Sequence, residues 1–393
     1  MSLLCWNCRG VGNPWTVQRL RKWSRAVSPD LVFISETKIG KEAVESIKGR
    51  IGYTNAFGVA CRGKSGGLCL FWSEEEINFA LVSFSQNHIC GDVMKGGDRW
   101  RFVGMYGWPE SGNKYQTWKL IQHLCDEASD PIVFGGDFNE ILSFNEIEGG
   151  ASRERREIGG FREALDSCEL RDLGFKGQWW TWERGRKVRT RVRERLDRFV
   201  ASSSWMHIYP RASVEHLLKF CSDHAPIVLK LTPKAKKRQK RTKSFKFETA
   251  WLFDNTCETV VREAWHSDEE YDVLGKLGAT SVRLAGWSKD KFDALGKQIE
   301  EAEFALKLVQ QERITEESCD RSAHLEQTLD DLHRKYEAYW FLRSQVLEVR
   351  DSDKNTSYYH HKASHRREKK TPSKGCMMMK ECDGRMTTAW KAL

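Results

Sequence analysis

Pro131-Ile132-Val133-Phe134-Gly135-Gly136-Asp137-Phe138-Asn139-Glu140 sets three apolar residues in a row ahead of two glycines. A short continuous apolar run reads as a strand buried on both faces, and Gly135-Gly136 ends it with a backbone that can turn sharply. Asp137 and Asn139 are then delivered at the carboxyl end of a core strand. Extended alternation points their side chains to the same side, with Phe138 turned into the core. A carboxylate beside a carboxamide can orient and deprotonate a water, or hold a phosphate oxygen and a hydrated metal. A plain Gly-Gly-Asp turn looks the same in isolation, so the weight falls on other stretches that complete such a site.

Several do. Residues 3–8 read as a strand that leaves through Asn7-Cys8-Arg9-Gly10, and Val17, Leu20, Trp23 and Ala26 recur at helical spacing among Arg and Lys. Leu31-Val32-Phe33-Ile34 is a second buried strand, and it delivers Glu36 at its carboxyl end, where layered α/β folds place their sites. Strands over 52–59, 66–72 and 79–84 fit a meander better than βαβ units, and the 100–107 strand brings Tyr106 to its end. A helix over 115–128 precedes the Pro131 strand, and a short one over 161–168 follows it. Leu196-Asp197-Arg198-Phe199-Val200 carries an acid, and the last strand is entered through Ser222-Asp223-His224. Asp197 and His224 thus offer a pair in which the acid fixes the imidazole tautomer.

The 393 residues suffice for one large domain and a smaller unit. A net charge of +9 favours a polyanionic partner. Two regions concentrate that charge. Trp182, Arg184, Arg186 and Arg189 belong to an aromatic strand followed by an arginine-dense hairpin that runs on through Arg191, Arg193, Arg195 and Arg198, a composition suited to phosphate contact and base stacking. Residues 233–246 form a basic linker with a nuclear-import character. It closes a first domain at residue 232 and leads into a helical segment, 247–350. There Phe292, Leu295, Ile299, Ala302, Leu306 and Val309, and then Leu325, Leu329, Leu332, Tyr336 and Tyr339, alternate spacings of three and four. A polar break over 315–320 implies an antiparallel, coiled-coil-like hairpin with a surface for self-association. The 351–393 tail is basic and reads as poorly ordered, with His360 and His361 solvated rather than metal-bound. Neither a signal peptide nor a membrane span is read, so the expectation is a soluble, intracellular protein. The twelve cysteines show no framework spacing, and Cys5 and Cys8 lack the second pair a zinc site needs.

The strand-end polar groups are Asn7, Glu36, Tyr106, Asp137, Asn139, Thr181, Asp197, Ser222, Asp223 and His224. No nucleophilic Ser or Cys stands beside a base. Carboxylates, carboxamides and one His suit a hard divalent cation and a phosphate. Trp6-Asn7-Cys8-Arg9-Gly10, Ser35-Glu36-Thr37-Lys38, Gly135-Gly136-Asp137-Phe138-Asn139, Leu196-Asp197-Arg198-Phe199 and Ser222-Asp223-His224-Ala225-Pro226-Ile227, in that order, resemble the exonuclease–endonuclease–phosphatase superfamily. The set is most similar to the apurinic-type endonuclease domain of plant LINE-type (non-LTR) retrotransposons. The segment from 351 to 360 likewise resembles the stretch ahead of the reverse transcriptase in those polyproteins, with Ser352 in place of a glycine.

The resemblance implies a four-layer α/β sandwich, two mixed β-sheets flanked by helices, and a Mg²⁺-dependent endonuclease, with Mn²⁺ as substitute, that nicks double-stranded DNA to leave a 3′-hydroxyl and a 5′-phosphate. It needs no small-molecule cofactor and no membrane. Glu36 would hold the metal with Asp223 nearby, and Asp137 would activate the water. Asn7 and Asn139 would position water and phosphate. His224, oriented by Asp197, would stabilise the phosphorane, with Tyr106, Thr181 and Ser222 on phosphate oxygens. Abasic-site repair members carry an acid two residues after the Asn, where this chain has Arg9. A phosphatase of the same fold and a decayed nucleic-acid-binding module are the alternatives.

Overall fold

A computed structural model describes residues 1–12, 14–63, 66–150, 155–231, 251, 255–266 and 273–344. The 233–246 linker and the 351–393 tail with His360 and His361 lie outside the described residues.

Two six-stranded mixed sheets stack face to face between helices, the four-layer sandwich expected from the sequence. The first holds β1 (Ser2–Asn7), β2 (Leu31–Ser35), β3 (Asn55–Val59), β4 (Leu68–Trp72), β14 (Ser213–His216) and β15 (Ile227–Lys230) in the order β14-β15-β1-β2-β4-β3. The second holds β5 (Asn78–Phe84), β6 (His88–Lys95), β7 (Asp98–Tyr106), β8 (Ile132–Asp137), β10 (Leu170–Asp172) and β13 (Asp197–Ser202) in the order β10-β13-β8-β7-β6-β5. A small sheet joins β9 (Ile147–Glu148), β11 (Trp182–Arg184) and β12 (Val192–Glu194).

Both central strands are continuous apolar runs because both their faces are covered. From β1, Leu3 and Cys5 enter the core between the sheets, while Leu4 and Trp6 pack outward on α1 (Pro14–Val27) and α2 (Lys41–Ile51). From β8, Val133 faces the middle, and Ile132 and Phe134 meet α3 (Lys114–Asp126) and α4 (Arg155–Ser167). Each fully buried Leu, Val or Phe contributes about 1.5–3 kcal/mol. The short α5 (Ser203–Ile208) is capped by Ser202, whose hydroxyl accepts from the Trp205 N–H. Cys5 and Cys8 are free, buried thiols.

Parallel pairing sets where the polar ends meet. β1 runs parallel to β2 and β7 parallel to β8, so four carboxyl ends reach one rim. β15 and β13 are antiparallel to β1 and β8, which brings their amino ends to the same rim.

Beyond the sandwich, α6 (Asn255–Trp265), α7 (Val273–Val309) and α8 (Glu316–Ser344) follow. The last two form the expected hairpin, but the turn comes earlier than the polar stretch implied. Thr315 and Ser318 cap α8 instead of breaking it, since the Ser318 N–H donates to Thr315 Oγ1 at 3.1 Å and the Thr315 N–H to Ser318 Oγ at 2.9 Å. α6 folds back on α7, with Trp251 and Trp287 edge to face at 6.0 Å. No described helix is long and apolar enough to cross a membrane.

The arginine-dense stretch corrects its sequence reading in part. Arg191, Arg193, Arg195 and Arg198 are buried, not displayed. Arg195 and Arg198 grip Glu146 and Asp172 at 2.8–2.9 Å. Glu183 accepts from Arg191 Nε at 3.0 Å and Arg193 Nε at 2.8 Å, with Lys219 Nζ 3.2 Å away. Burial opposes ionisation of Glu183, yet Lys219, Arg191 and Arg193 together hold its pKa down at about 2. A depressed carboxylate stabilises the fold above its ordinary value of 4.5 and loses that contribution as pH falls toward 2. Glu183→Gln is therefore expected to cost about 3–5 kcal/mol at pH 7, by stranding buried cations, and to flatten the fall in stability between those two pH values. Denaturant unfolding across the acid range measures both.

Candidate active site

At the shared rim, Asn7 ends β1, Tyr106 ends β7, Asp137 ends β8 and Asp197 opens β13, while Glu36 follows β2 and His224 precedes β15. The Asn7 side-chain amide donates to Glu36 Oε1 at 3.0 Å and to Asp137 Oδ2 at 2.9 Å. The Tyr106 hydroxyl donates to the same Glu36 oxygen at 3.1 Å. His224 Nδ1 meets Asp197 Oδ2 at 2.8 Å, and its Nε2 lies 3.7 Å from Asp137 Oδ2. Trp6 Nε1 donates to the His224 carbonyl at 3.1 Å, which ties the imidazole's backbone to β1.

Burial governs the charges. Burial raises the Asp137 pKa, and the neighbouring Asp197 adds to it, against the lowering effect of His224 and Asn7. Burial alone would discharge His224, but Asp197 and Asp137 outweigh it and drive its pKa up. Tyr106 is held far above its ordinary range by burial and by the charges of Glu36 and Asp137. The result is a protonated imidazole between two acids, one of which titrates close to neutrality.

Ligand atoms of Asp137, Asp197 and His224 fall within 4.8 Å of one another, a spacing that would admit a cation. Both ring nitrogens of His224 nevertheless face carboxylates, so this triad serves a charged imidazole. A hard divalent ion prefers oxygen donors, and those stand beside it. Glu36 and Asp223 face each other across Arg9, whose guanidinium pairs with Asp223 and lies 3.8 Å from Glu36 Oε2; Lys38 Nζ is 3.7 Å from that same oxygen. Glu36 and Asp223 are the carboxylates expected from the sequence to hold a metal, and the Arg9 guanidinium stands between them.

Residues 4–224, more than half of the chain, match the model of the Endonuclease/Exonuclease/phosphatase family. The chain belongs to that family. No curated protein matches its sequence. Among solved structures, the 3′ phosphatase NExo from Neisseria bound to a product DNA hairpin aligns at 18% identity and a TM-score of 0.44, over 58% of this chain and 98% of its own. An AP endonuclease from Archaeoglobus fulgidus aligns at 17% and 0.45, over 58% and 98%. The endonuclease domain of TRAS1, a telomere-specific non-LTR retrotransposon, aligns at 15% and 0.43, over 58% and 96%.

Within this member of the Endonuclease/Exonuclease/phosphatase family, other sequence-predicted residues take different places. Thr181 is fully buried, and its Oγ1 accepts the backbone N–H groups of Leu196 and Asp197 at 3.0 and 2.9 Å. It fixes the start of β13 rather than reaching a phosphate oxygen. The Ser222 hydroxyl donates to the Asn7 carbonyl at 2.8 Å and accepts from the His224 N–H at 3.1 Å, so it braces the loop. Trp182 is half-buried and donates from Nε1 to Asp223 Oδ2 at 2.9 Å. Arg184, Arg186 and Arg189 are exposed, unlike the arginines that follow them.

Asn139 is not delivered by strand alternation. Its φ is +56°, a left-handed turn in which its N–H donates to Asp137 Oδ1 at 2.8 Å and its side-chain amide to the Gly107 carbonyl at 2.8 Å. A Cβ on Gly107 would lie 2.0 Å from the Phe138 carbonyl oxygen, so only glycine lets this turn close. Sequence reasoning missed what pins it. Lys114, from the first turn of α3, donates to the Asn139 carbonyl at 2.8 Å and to Glu140 Oε2 at 2.9 Å, and Trp118 Nε1 donates to Glu140 Oε1 at 2.9 Å. The Lys114 and Glu140 side chains are 4% and 1% exposed. Lys114→Met takes the cation away from a buried carboxylate and is expected to lower unfolding free energy by about 3–5 kcal/mol in urea titration. Lys114→Met with Glu140→Leu should recover most of that loss.

Proposed function

We propose that this chain is a Mg²⁺-dependent DNA endonuclease of non-LTR retrotransposon origin that nicks one strand in the nucleus, leaving a 3′-hydroxyl and a 5′-phosphate. The observation that carries the reading is the Asn7 amide bonded to both Glu36 and Asp137, with the His224–Asp197 pair buried immediately behind.

Asp137 is the base. With its proton affinity raised toward neutrality, it can take a proton from an attacking water, which a carboxylate of ordinary strength does poorly. Asn7 and the left-handed Asn139 hold the Asp137 carboxylate in one orientation, so the water has one place to bind. His224, kept charged by Asp197, faces the same point and supplies a fixed positive group where negative charge gathers on the phosphate oxygens. Tyr106 adds a hydroxyl that burial keeps protonated. A bound Mg²⁺ at Glu36 and Asp223 would supply further charge stabilisation at the phosphate. A net charge of +9 and exposed Arg184, Arg186 and Arg189 beside Trp182 favour a nucleic-acid backbone as the carrier of that phosphate. The order of the five motifs and of the 351–360 segment supports the retroelement origin.

Nicking of supercoiled plasmid tests it. Wild type with Mg²⁺ is expected to give open circles and to be silenced by EDTA, and Asp137→Ala and His224→Ala to slow nicking by about 10²–10⁴-fold while still binding DNA. Equal inertness of wild type and variants, with DNA binding intact, would overturn the catalytic reading.

A further inference from the structure

Residues 217–226 join β14 to β15 and carry Ser222-Asp223-His224. This loop is gripped from outside by the α7–α8 hairpin. Phe220, 6% exposed, sits in one cluster with Ile299, Ala302 and Leu306 of α7 and Leu329 and Leu332 of α8. The Arg19 guanidinium of α1 lies 4.2 Å from the Phe220 ring centre on another side. The Lys219 carbonyl accepts from Gln310 Nε2 at 3.1 Å, and Lys219 Nζ lies 3.3 Å from Glu326 Oε1 of α8. Gln310 is fully buried at the hairpin turn, and its own carbonyl accepts from Trp180 Nε1 at 2.8 Å. Arg19 and Lys22 of α1 both reach Glu303 of α7 at 2.6 Å.

The loop has reason to need such a grip. Cys221 has a φ of +65°, a left-handed conformation that a non-glycine residue keeps only when its surroundings enforce it. Immediately after it, the Ser222 hydroxyl bonds the Asn7 carbonyl, and the His224 N–H bonds that hydroxyl. A shift at Phe220 is thus carried within four residues to the imidazole that faces Asp197 and Asp137.

We propose that the helical hairpin is the positioning element of the catalytic loop: by enclosing Phe220 and bonding the Lys219 carbonyl, it sets where His224 and Asp223 stand. The hairpin is a working part of the endonuclease unit, not a spacer behind it. What the loop does when so placed rests on the endonuclease reading; that the hairpin places it does not.

The test uses the full chain with Phe220→Ala, Phe220→Leu, Leu329→Asp and, as a control in the α6–α7 contact away from the loop, Trp287→Ala. Hydrogen–deuterium exchange over 217–226 reads the loop without any reaction. Exchange there is expected to speed by about tenfold or more in Phe220→Ala and Leu329→Asp, to return toward wild type in Phe220→Leu and to stay unchanged in Trp287→Ala. Plasmid nicking should lose about 10- to 100-fold in kcat in the first two, with KM moving far less, because a misplacement of about 1 Å costs that order of rate. Unchanged loop exchange in Phe220→Ala would overturn the proposal, as would an equal loss in Trp287→Ala, which marks general destabilisation. If Leu329→Asp does not fold, the Phe220→Ala and Phe220→Leu pair decides alone. An inert wild type whose loop exchange still follows these variants would sink the endonuclease reading and leave the positioning role standing.

Discussion

Asn7 stands at the end of β1 with its amide donating to Glu36 beyond β2 and to Asp137 at the end of β8. Its partners belong to different sheets, so this one carboxamide couples the two halves of the sandwich at their rim. The distance it spans is fixed by the apolar layer beneath, where Leu3, Cys5, Phe33, Val133 and Phe199 set how far apart the sheets lie. The site is therefore no more precise than the core under it. Ser222 reaches the Asn7 carbonyl and Trp6 the His224 carbonyl, so β1 also carries the loop that delivers the imidazole.

Burial then turns ordinary side chains into unequal ones. Asp137 and Asp197 are register partners across β8 and β13, and both are about 1% exposed. Two carboxylates so placed cannot both hold charge cheaply unless a cation answers them, and His224 is that cation. Asp197 takes the direct bond to Nδ1, while burial, with the neighbouring charge of Asp197, raises the proton affinity of Asp137.

Much of this was legible in the sequence. The strands that end in Asn7, Glu36, Tyr106 and Asp137 are apolar runs stopped by polar residues, a pattern that survives without coordinates. The helix α2 and the strands β6 and β14 were not read, although Val44, Ile47 and Ile51 do recur at helical spacing in α2. β6 hides its character because Gly91 and Asp92 interrupt the alternation, and Asp92 is acceptable inside only through Arg99 and Arg101 on the next strand. The left-handed Asn139 was likewise beyond a reading based on alternation, since what holds it is a lysine twenty-five residues earlier.

The arginines show most clearly where a linear reading stops. Eight basic residues over 184–198 look alike in sequence, yet those from Arg191 onward are buried and those before it are exposed. The difference lies in the acids they meet: Glu146 and Asp172, remote along the chain, for two of them, and Glu183, on β11, for two more. The hairpin closes the same arrangement, because Arg193 Nη1 donates to the Glu312 carbonyl at 2.6 Å and the Ile314 N–H to Glu148 Oε1 at 3.1 Å. One cationic stretch is thus divided by position: its second half anchors the small sheet and the hairpin, and its first half, Arg184 to Arg189, stays exposed.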